Sequence, residues 1–343
     1  MKAVLFRRHG GPEVLEYVEV PTPVPADGEA LIRVKACSLN HLDLWIRQGI
    51  PAYQIRLPHI SGCDVAGVVE RLGQDVTGLR VGDSVVATPG LSCFECVWCK
   101  AGQDNLCASY GIRGAKTDGG YAEYATAKAS DLLPLPPGCS FEDAAAFPLV
   151  FLTAWHMLMT RAVVRAGETV LVHAAGSGIG HAAIQIAKLA GATVFTTVGS
   201  DEKIPKATAL GADVVVNYAR EPFVERIQQA TQGRGVDVVF EHIGPHTWEG
   251  SLRLVAKGGR LVTCGATTGP IVPLDVRYVF SRHLSILGST MGTRHELLTV
   301  AGLIGERKLK PVIDAVVPLA EARAAQERLL GRQVFGKLVL RPA

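Results

Sequence analysis

The chain lacks a strong charge imbalance. Its 343 residues carry 35 Lys and Arg against 32 Asp and Glu, a formal net charge of +3. No lysine or arginine run stands out, which removes the electrostatic footprint expected of a nucleic-acid binder. A convincing membrane span is also missing. Two long stretches are free of charge, Ala144–Thr160 and Thr169–Ala187. The first contains Pro148 and His156, and the second is broken by His173, His181 and a glycine turn. Both read as buried helix and strand. There is no internal repeat and no low-complexity tract. The opening MKAVLFRRHGG has no apolar run behind its basic residues, so the expectation is a cytoplasmic protein without a secretory leader. What remains is the globular class, at 48% hydrophobic and 20% charged. The length exceeds one typical hydrophobic core and predicts two domains.

Among eight cysteines, four are clustered: Cys93, Cys96, Cys99 and Cys107, spaced C-x2-C-x2-C-x7-C. Four thiolates this close can fill every position around a tetrahedral Zn²⁺. Such a closed site is structural, because catalytic zinc keeps a position open. The expected loop, about residues 90–108, is therefore a metal clip holding one zinc. A pair of disulfides is the rival, and it would need an oxidising compartment. Cys139 and Cys264 read most simply as small apolar residues.

The first third of the chain is strand and turn. MKAVLF, EYVEV, EALIRVKAC, DVAGVVERLG, VGDSVVAT and YAEYATA are short β-rich runs between Gly, Pro and Asp. From about Glu168 strand and helix alternate. TVLVHAA, ATVFTTV, ADVVVN, VDVVFEH, GRLVTCG and LSILGS read as strands. HAAIQIAKLAG, DEKIPKATALG, FVERIQQATQ and HTWEGSLRLVAKG read as the helices between them. That pattern predicts an α/β fold with a doubly wound parallel sheet. The ending FGKLVLRP reads as a strand returning to the first lobe.

The first turn of that sheet holds Gly176, Ser177, Gly178, Ile179 and Gly180 between a strand and a helix start. Glycines there let a pyrophosphate approach the backbone, and the helix N-terminus favours its charge. Dinucleotide binding follows from that context more than from the imperfect G-x-G-x-x-G match. The second strand ends Thr197, Val198, Gly199, Ser200, without the carboxylate that usually holds an NAD ribose. Asp201 and Glu202 come slightly later and read as first-turn residues behind an N-cap Ser200. Lys203, Tyr218 and Arg220 could reach a 2′-phosphate. The pattern favours NADP(H) and leaves NAD(H) open.

Taken together, the opening MKAVLFRRHGGPEVLEYVEVP, VKACSLNHLDLWIRQG, LPHISGCDVAGVVERLG, VGDSVV, the cysteine loop and FGKLVL resemble the medium-chain dehydrogenase/reductase superfamily over essentially the whole length. The resemblance implies a GroES-like β-rich catalytic domain, residues 1–149 and 289–343, and a Rossmann cofactor domain, residues 150–288. It implies an active site in the cleft between them.

The chain departs from the zinc alcohol dehydrogenase branch of that family. A motif like V-K-A-T-G-V-C-H-T-D supplies a zinc-binding Cys in that branch. VKACSLNHLD places Asn40 there, with His41 and Asp43 retained, and Cys37 falls three residues early. In Gly62-Cys63-Asp64-Val65-Ala66-Gly67, Cys63 stands for the second ligand, a His. Leu149 stands for the third, a Cys. Asn, Cys and Leu make a poor zinc site. Cys63 and Asp64 with Cys37 or His59 are the alternative donor set.

The quinone oxidoreductase branch is the better match. It shares N-x-x-D, H-A-A before the glycine turn, T-V-G-S, and N-Y at Asn217-Tyr218. The resemblance assigns Lys203 and Tyr218 to the 2′-phosphate. That branch commonly lacks the zinc loop, so this chain combines structural zinc with no catalytic zinc. The expected reaction is hydride transfer from NADPH to a quinone or a carbonyl-conjugated C=C. Asn40 would line the nicotinamide pocket, and His41 or Tyr53 would donate to the developing oxyanion. Asp43 either belongs to that site or anchors its loop through backbone amides. Tyr121 and Tyr124 read as sheet residues that could reach the cleft, and Arg294, after the last cofactor-domain strand, could face the cofactor or a substrate carbonyl. Two other readings stay open: an alcohol dehydrogenase with an unusual metal site or none, and a non-catalytic nucleotide-binding protein. The partner is a small-molecule substrate, with neither nucleic acid nor membrane. A homodimer or homotetramer is expected, formed through the edge strand RHLSILGST.

Overall fold

The computed structural model describes residues 1–50 and 53–343. The chain forms two compact units, Met1–Leu149 with Thr293–Ala343, and Val150–Gly292. The second therefore extends four residues past residue 288, where the sequence pattern drew its end.

The first unit is built on a seven-stranded sheet. Its path runs Ile313–Pro318, Lys337–Arg341, Glu29–Ser38, Asp64–Leu72, Ser84–Ala87 and Leu132–Pro134, with Tyr124–Lys128 also paired to Glu29–Ser38. All pairings but the first are antiparallel. The runs are rich in Val, Ile and Leu because both faces are largely covered. Ile32, Val34, Val65, Val69, Val85, Leu338 and Leu340 share one buried core with Cys37 and Tyr121. The last strand, Lys337–Arg341, is the FGKLVLRP segment. Its Val339 and Leu340 sit opposite Ser38 and Cys37, so the C-terminus closes onto a strand laid down near the start.

In the second unit six parallel strands follow the spatial order Val214–Asn217, Thr193–Val198, Thr169–Val172, Val236–Glu241, Val255–Thr263, Ser285–Gly288. By chain order this is 3-2-1-4-5-6, the doubly wound dinucleotide-binding arrangement. The expected helix HTWEGSLRLVAKG ends earlier, at Leu254. Val255 instead pairs with Val236 and opens the next strand, where a β-branched residue packs well. The charge-free Ala144–Thr160 stretch falls on short buried helical segments. Among the described residues, no helix is long and apolar enough to cross a membrane.

Candidate functional site

The cysteine loop folds as a small lobe of the first unit. A two-residue ladder joins Gly90–Leu91 to Gly111–Ile112, and one turn of helix covers Val97–Lys100. Phe94, Val97, Trp98 and Leu106 are exposed, so the lobe has almost no core of its own. The Sγ atoms of Cys93, Cys96, Cys99 and Cys107 all lie within 4.8 Å of one another. Neighbouring sulfurs are 3.4, 3.6 and 3.9 Å apart. A tetrahedron with Zn–S bonds of about 2.3 Å has edges of about 3.8 Å, so the set fits zinc. The backbone N–H groups of Cys93, Glu95 and Cys96 point at sulfur. The Ser109 hydroxyl beside Cys107 holds its thiol down to about 6. None of the eight cysteines is disulfide-bonded in this structure.

Arg294 contacts this lobe. Its backbone N–H donates to the Asp104 carboxylate, its guanidinium covers the Phe94 ring at 5.8 Å, and it donates to the Ser130 carbonyl. It ties the lobe to the start of the helix Arg294–Gly305.

A second polar cluster lies at the end of the strand Glu29–Ser38. Asn40 is the N-cap of the helix His41–Gln48. Its backbone N–H donates to Asp43 Oδ2 at 2.7 Å, one arm of a capping box. Its side chain turns to Asp64, Nδ2 donating to Asp64 Oδ2 at 2.7 Å and to Cys63 Sγ at 3.2 Å. Ser38 Oγ donates to the same carboxylate, and the Leu149 N–H donates to Asp64 Oδ1 at 2.9 Å. The three positions aligned with zinc ligands thus converge on Asp64. The cation among them is an ammonium. Lys337 Nζ donates to Asn40 Oδ1 at 2.5 Å and lies 3.4 Å from Asp64 Oδ2. Asp64 is 0% and Lys337 2% exposed. Burial pushes the Cys63 thiol well above its ordinary value, so it is a poor thiolate donor. The residues do not fit a catalytic zinc. Among the described residues, the four-cysteine loop is the one group of three or more His, Cys, Asp or Glu with metal-ligand spacing. Cys37 packs in the core, and His59 turns away to the Gly114 carbonyl and Asp118.

Asp43 is fully buried and fully used. Oδ1 accepts from the Gly62 N–H, and Oδ2 accepts from Asn40 N–H and Tyr121 Oη. Burial raises its pKa to about 6 despite those donors. This is the anchoring alternative: it fixes the Asn40 turn against the Gly62 turn. His41 is half-buried, edge-on to Trp45 at 5.1 Å. Tyr53 is half-buried, and burial raises its phenol. Tyr121 is buried on Asp43, and Tyr124 lies under the Arg33 guanidinium, so both are structural.

In the second unit the glycine turn leaves the strand Thr169–Val172 and enters the helix Gly178–Leu189. Ser177 is its N-cap, accepting from the Gly180 N–H at 2.9 Å. A Cβ on Gly180 would stand 2.2 Å from the Ala174 carbonyl, so only glycine permits this close a turn. Beneath it lies a buried chain that the sequence did not reveal. Glu241 accepts from the Ile243 and Gly244 N–H groups and from the Thr247 and Ser251 hydroxyls. Ser251 meets His173 Nε2 at 2.8 Å, and His173 Nδ1 meets Thr197 Oγ1, which accepts from the Ala174 N–H. Burial depresses His173 to about 4. The ring is therefore neutral at pH 7, and this pattern is satisfied by the Nε2–H tautomer.

At the second strand's end Tyr218 lies over Gly199, its hydroxyl 2.6 Å from where a Cβ would stand. Ser200 precedes the short turn Asp201–Lys203. Asp201 accepts from Asn217 Nδ2 at 2.7 Å and pairs with Arg220. Asp201 is thus engaged, and Lys203 and Tyr218 flank the same strand end.

These features define an NAD(P)-dependent oxidoreductase. The family model described as alcohol dehydrogenase GroES-like domain matches residues 26–137, and the zinc-binding dehydrogenase model matches 178–306. The quinone oxidoreductase of Mus musculus is 34% identical over 99% of this chain and 97% of its own. The alcohol dehydrogenase of Geobacillus stearothermophilus is also 34% identical, over 99% of each. A solved NAD-dependent alcohol dehydrogenase is 47% identical, with a TM-score of 0.95 over 99% of both chains. A cobalt- and zinc-bound thermostable alcohol dehydrogenase from Pyrobaculum aerophilum is 36% identical, with a TM-score of 0.91 over 100% of this chain and 99% of its own. The chain belongs to the medium-chain dehydrogenase/reductase superfamily.

Proposed function

We propose that the protein transfers hydride from NADPH to a quinone or to a C=C bond conjugated with a carbonyl, and that its only zinc is the structural ion of Cys93, Cys96, Cys99 and Cys107. The observation that carries this reading is the set around Asp64: an amide, a buried thiol and a leucine at the three positions aligned with zinc ligands, with the Lys337 ammonium among them. Zinc brings the pKa of a bound oxygen from about 16 to about 7, on the order of 12 kcal/mol towards an alkoxide. Carbonyl–alcohol chemistry without that help needs a strong substitute. Hydride addition to a quinone or enone delocalises the charge onto oxygen, and a few donors suffice.

When bound, the reduced nicotinamide supplies the hydride. Gly176, Ser177, Gly178, Ile179 and Gly180 hold the pyrophosphate, and Ser200, Lys203 and Tyr218 hold the 2′-phosphate. Asn40 lines the nicotinamide pocket, while His41 or Tyr53 donates to the developing oxyanion. Asp43 serves by fixing Asn40. The protein assembles as a homodimer or homotetramer through the edge strand Ser285–Gly288, whose preceding segment exposes Ile271, Val276 and Phe280. The protein works in the cytoplasm.

An NAD-dependent alcohol dehydrogenase is the second reading, favoured by the 47% identical solved structure of that description. Metal content per chain and cofactor oxidation with a quinone, an enone and an aldehyde separate the two. One zinc, with turnover of quinone or enone from NADPH, supports the proposal. Two zincs, with aldehyde turnover abolished by mild chelation, overturn it.

A further inference from the structure

Lys337 was not among the candidates drawn from the sequence, yet it is the buried cation of the Asn40–Asp64 cluster. Gly336 at φ +101°, where a Cβ would meet the Val312 carbonyl at 2.3 Å, turns the chain just before it. The strand Lys337–Arg341 then delivers the ammonium to a fully buried carboxylate. Asp64 already accepts from Asn40, Ser38 and Leu149. Asn40 is saturated at both ends, its carbonyl on Lys337 and its amide on Asp64 and Cys63. An isolated carboxylate this deep is strongly unfavourable, and a compensating cation is required. We propose that Lys337 is a tethered cation that closes this cluster to divalent metal and fixes the Asn40 amide in one orientation. It is a positioning residue, acting through Asn40 and Asp64. Remove the ammonium and Asp64, Cys63 and Asn40 become a latent divalent-metal site.

The inference rests on the first unit alone and does not depend on which acceptor is reduced. Its test starts from protein whose four-cysteine site is filled with zinc, titrated with cobalt(II). Wild type and Lys337→Arg are expected to take up no cobalt. Lys337→Met is expected to melt lower than wild type and to bind one cobalt per chain. That binding releases the Cys63 proton and gives a thiolate-to-cobalt charge-transfer band. It also restores the lost melting temperature. The band disappears in Lys337→Met/Cys63→Ser. Lys337→Met/Asp64→Asn, which removes both charges, is expected to fold without metal even if Lys337→Met does not. Cobalt bound at Cys63 in the wild type overturns the proposal, as does a soluble Lys337→Met that binds none. A double variant that still fails to fold overturns it too, by assigning Lys337 to packing alone.

Discussion

Two polar clusters of one unit meet the same electrostatic problem and solve it differently. The cysteine lobe gathers four sulfurs on a loop with almost no core of its own, in a set that fits one metal ion. The Asp64 cluster sits inside a seven-stranded sheet and is neutralised by a lysine of the same chain. A lobe without packing depends on a free ion and hence on its supply. A site inside a packed core can draw its cation from a neighbouring strand. Ligand-like positions are therefore not evidence of a metal until the surrounding charges are counted.

The largest effect expected is on the exposed side of this comparison. Cys96→Ser or Cys107→Ser should drop zinc below one per chain and unfold the lobe. Structural zinc contributes on the order of 10 kcal/mol in small domains, so limited proteolysis within residues 90–108 should become rapid. Retention of full zinc and protease resistance would break the metal-clip reading. Next comes Lys337→Met, at about 3–5 kcal/mol for a lone buried charge. Denaturant unfolding measures it, and the loss should be largely relieved by Asp64→Asn in the same chain.

A third effect concerns pH. The Asp43 pKa is raised to about 6, so the folded state holds a proton that the unfolded chain releases near 4. Folding stability from this group is full below about pH 4 and falls as pH rises through about 6. Asp43→Asn should flatten that slope, on the order of 1–3 kcal/mol across the interval. An unchanged slope would assign it to other groups. The smallest effect lies outside both clusters. Tyr218→Phe should raise the NADPH KM a few-fold, about 1 kcal/mol for one hydrogen bond, and leave the NADH KM alone. Equal changes for both cofactors would remove Tyr218 from 2′-phosphate recognition.

What the sequence disclosed was local. Four cysteines within 15 positions announce a site because their spacing alone constrains it, and the strand–glycine–helix order announces the nucleotide turn. Asn40, Cys63 and Leu149 could be aligned with zinc ligands, and they do converge. Their cation could not be read, because Lys337 is 297 residues from Asn40 and looks like any lysine at a strand start. The Glu241–Ser251–His173–Thr197 chain was hidden similarly, its members scattered over two strands, a helix and the turn that follows a third strand. The contact of Arg294 with the cysteine lobe was equally illegible, because its segment follows the last strand of the second unit.

The ion pair between Asp64 and Lys337 also sets an order of events during synthesis. Its members are 273 residues apart, with the whole second unit between them. At about 5–20 residues per second, roughly 15–55 s pass between emergence of the aspartate and of its lysine. Until then the strand Asp64–Leu72 has no cation with which to bury its first residue. The strand Glu29–Ser38 also lacks its partner Lys337–Arg341 in the sheet until then. The strand that carries this lysine is the one that joins Ile313–Pro318 to Glu29–Ser38 in the first unit's sheet.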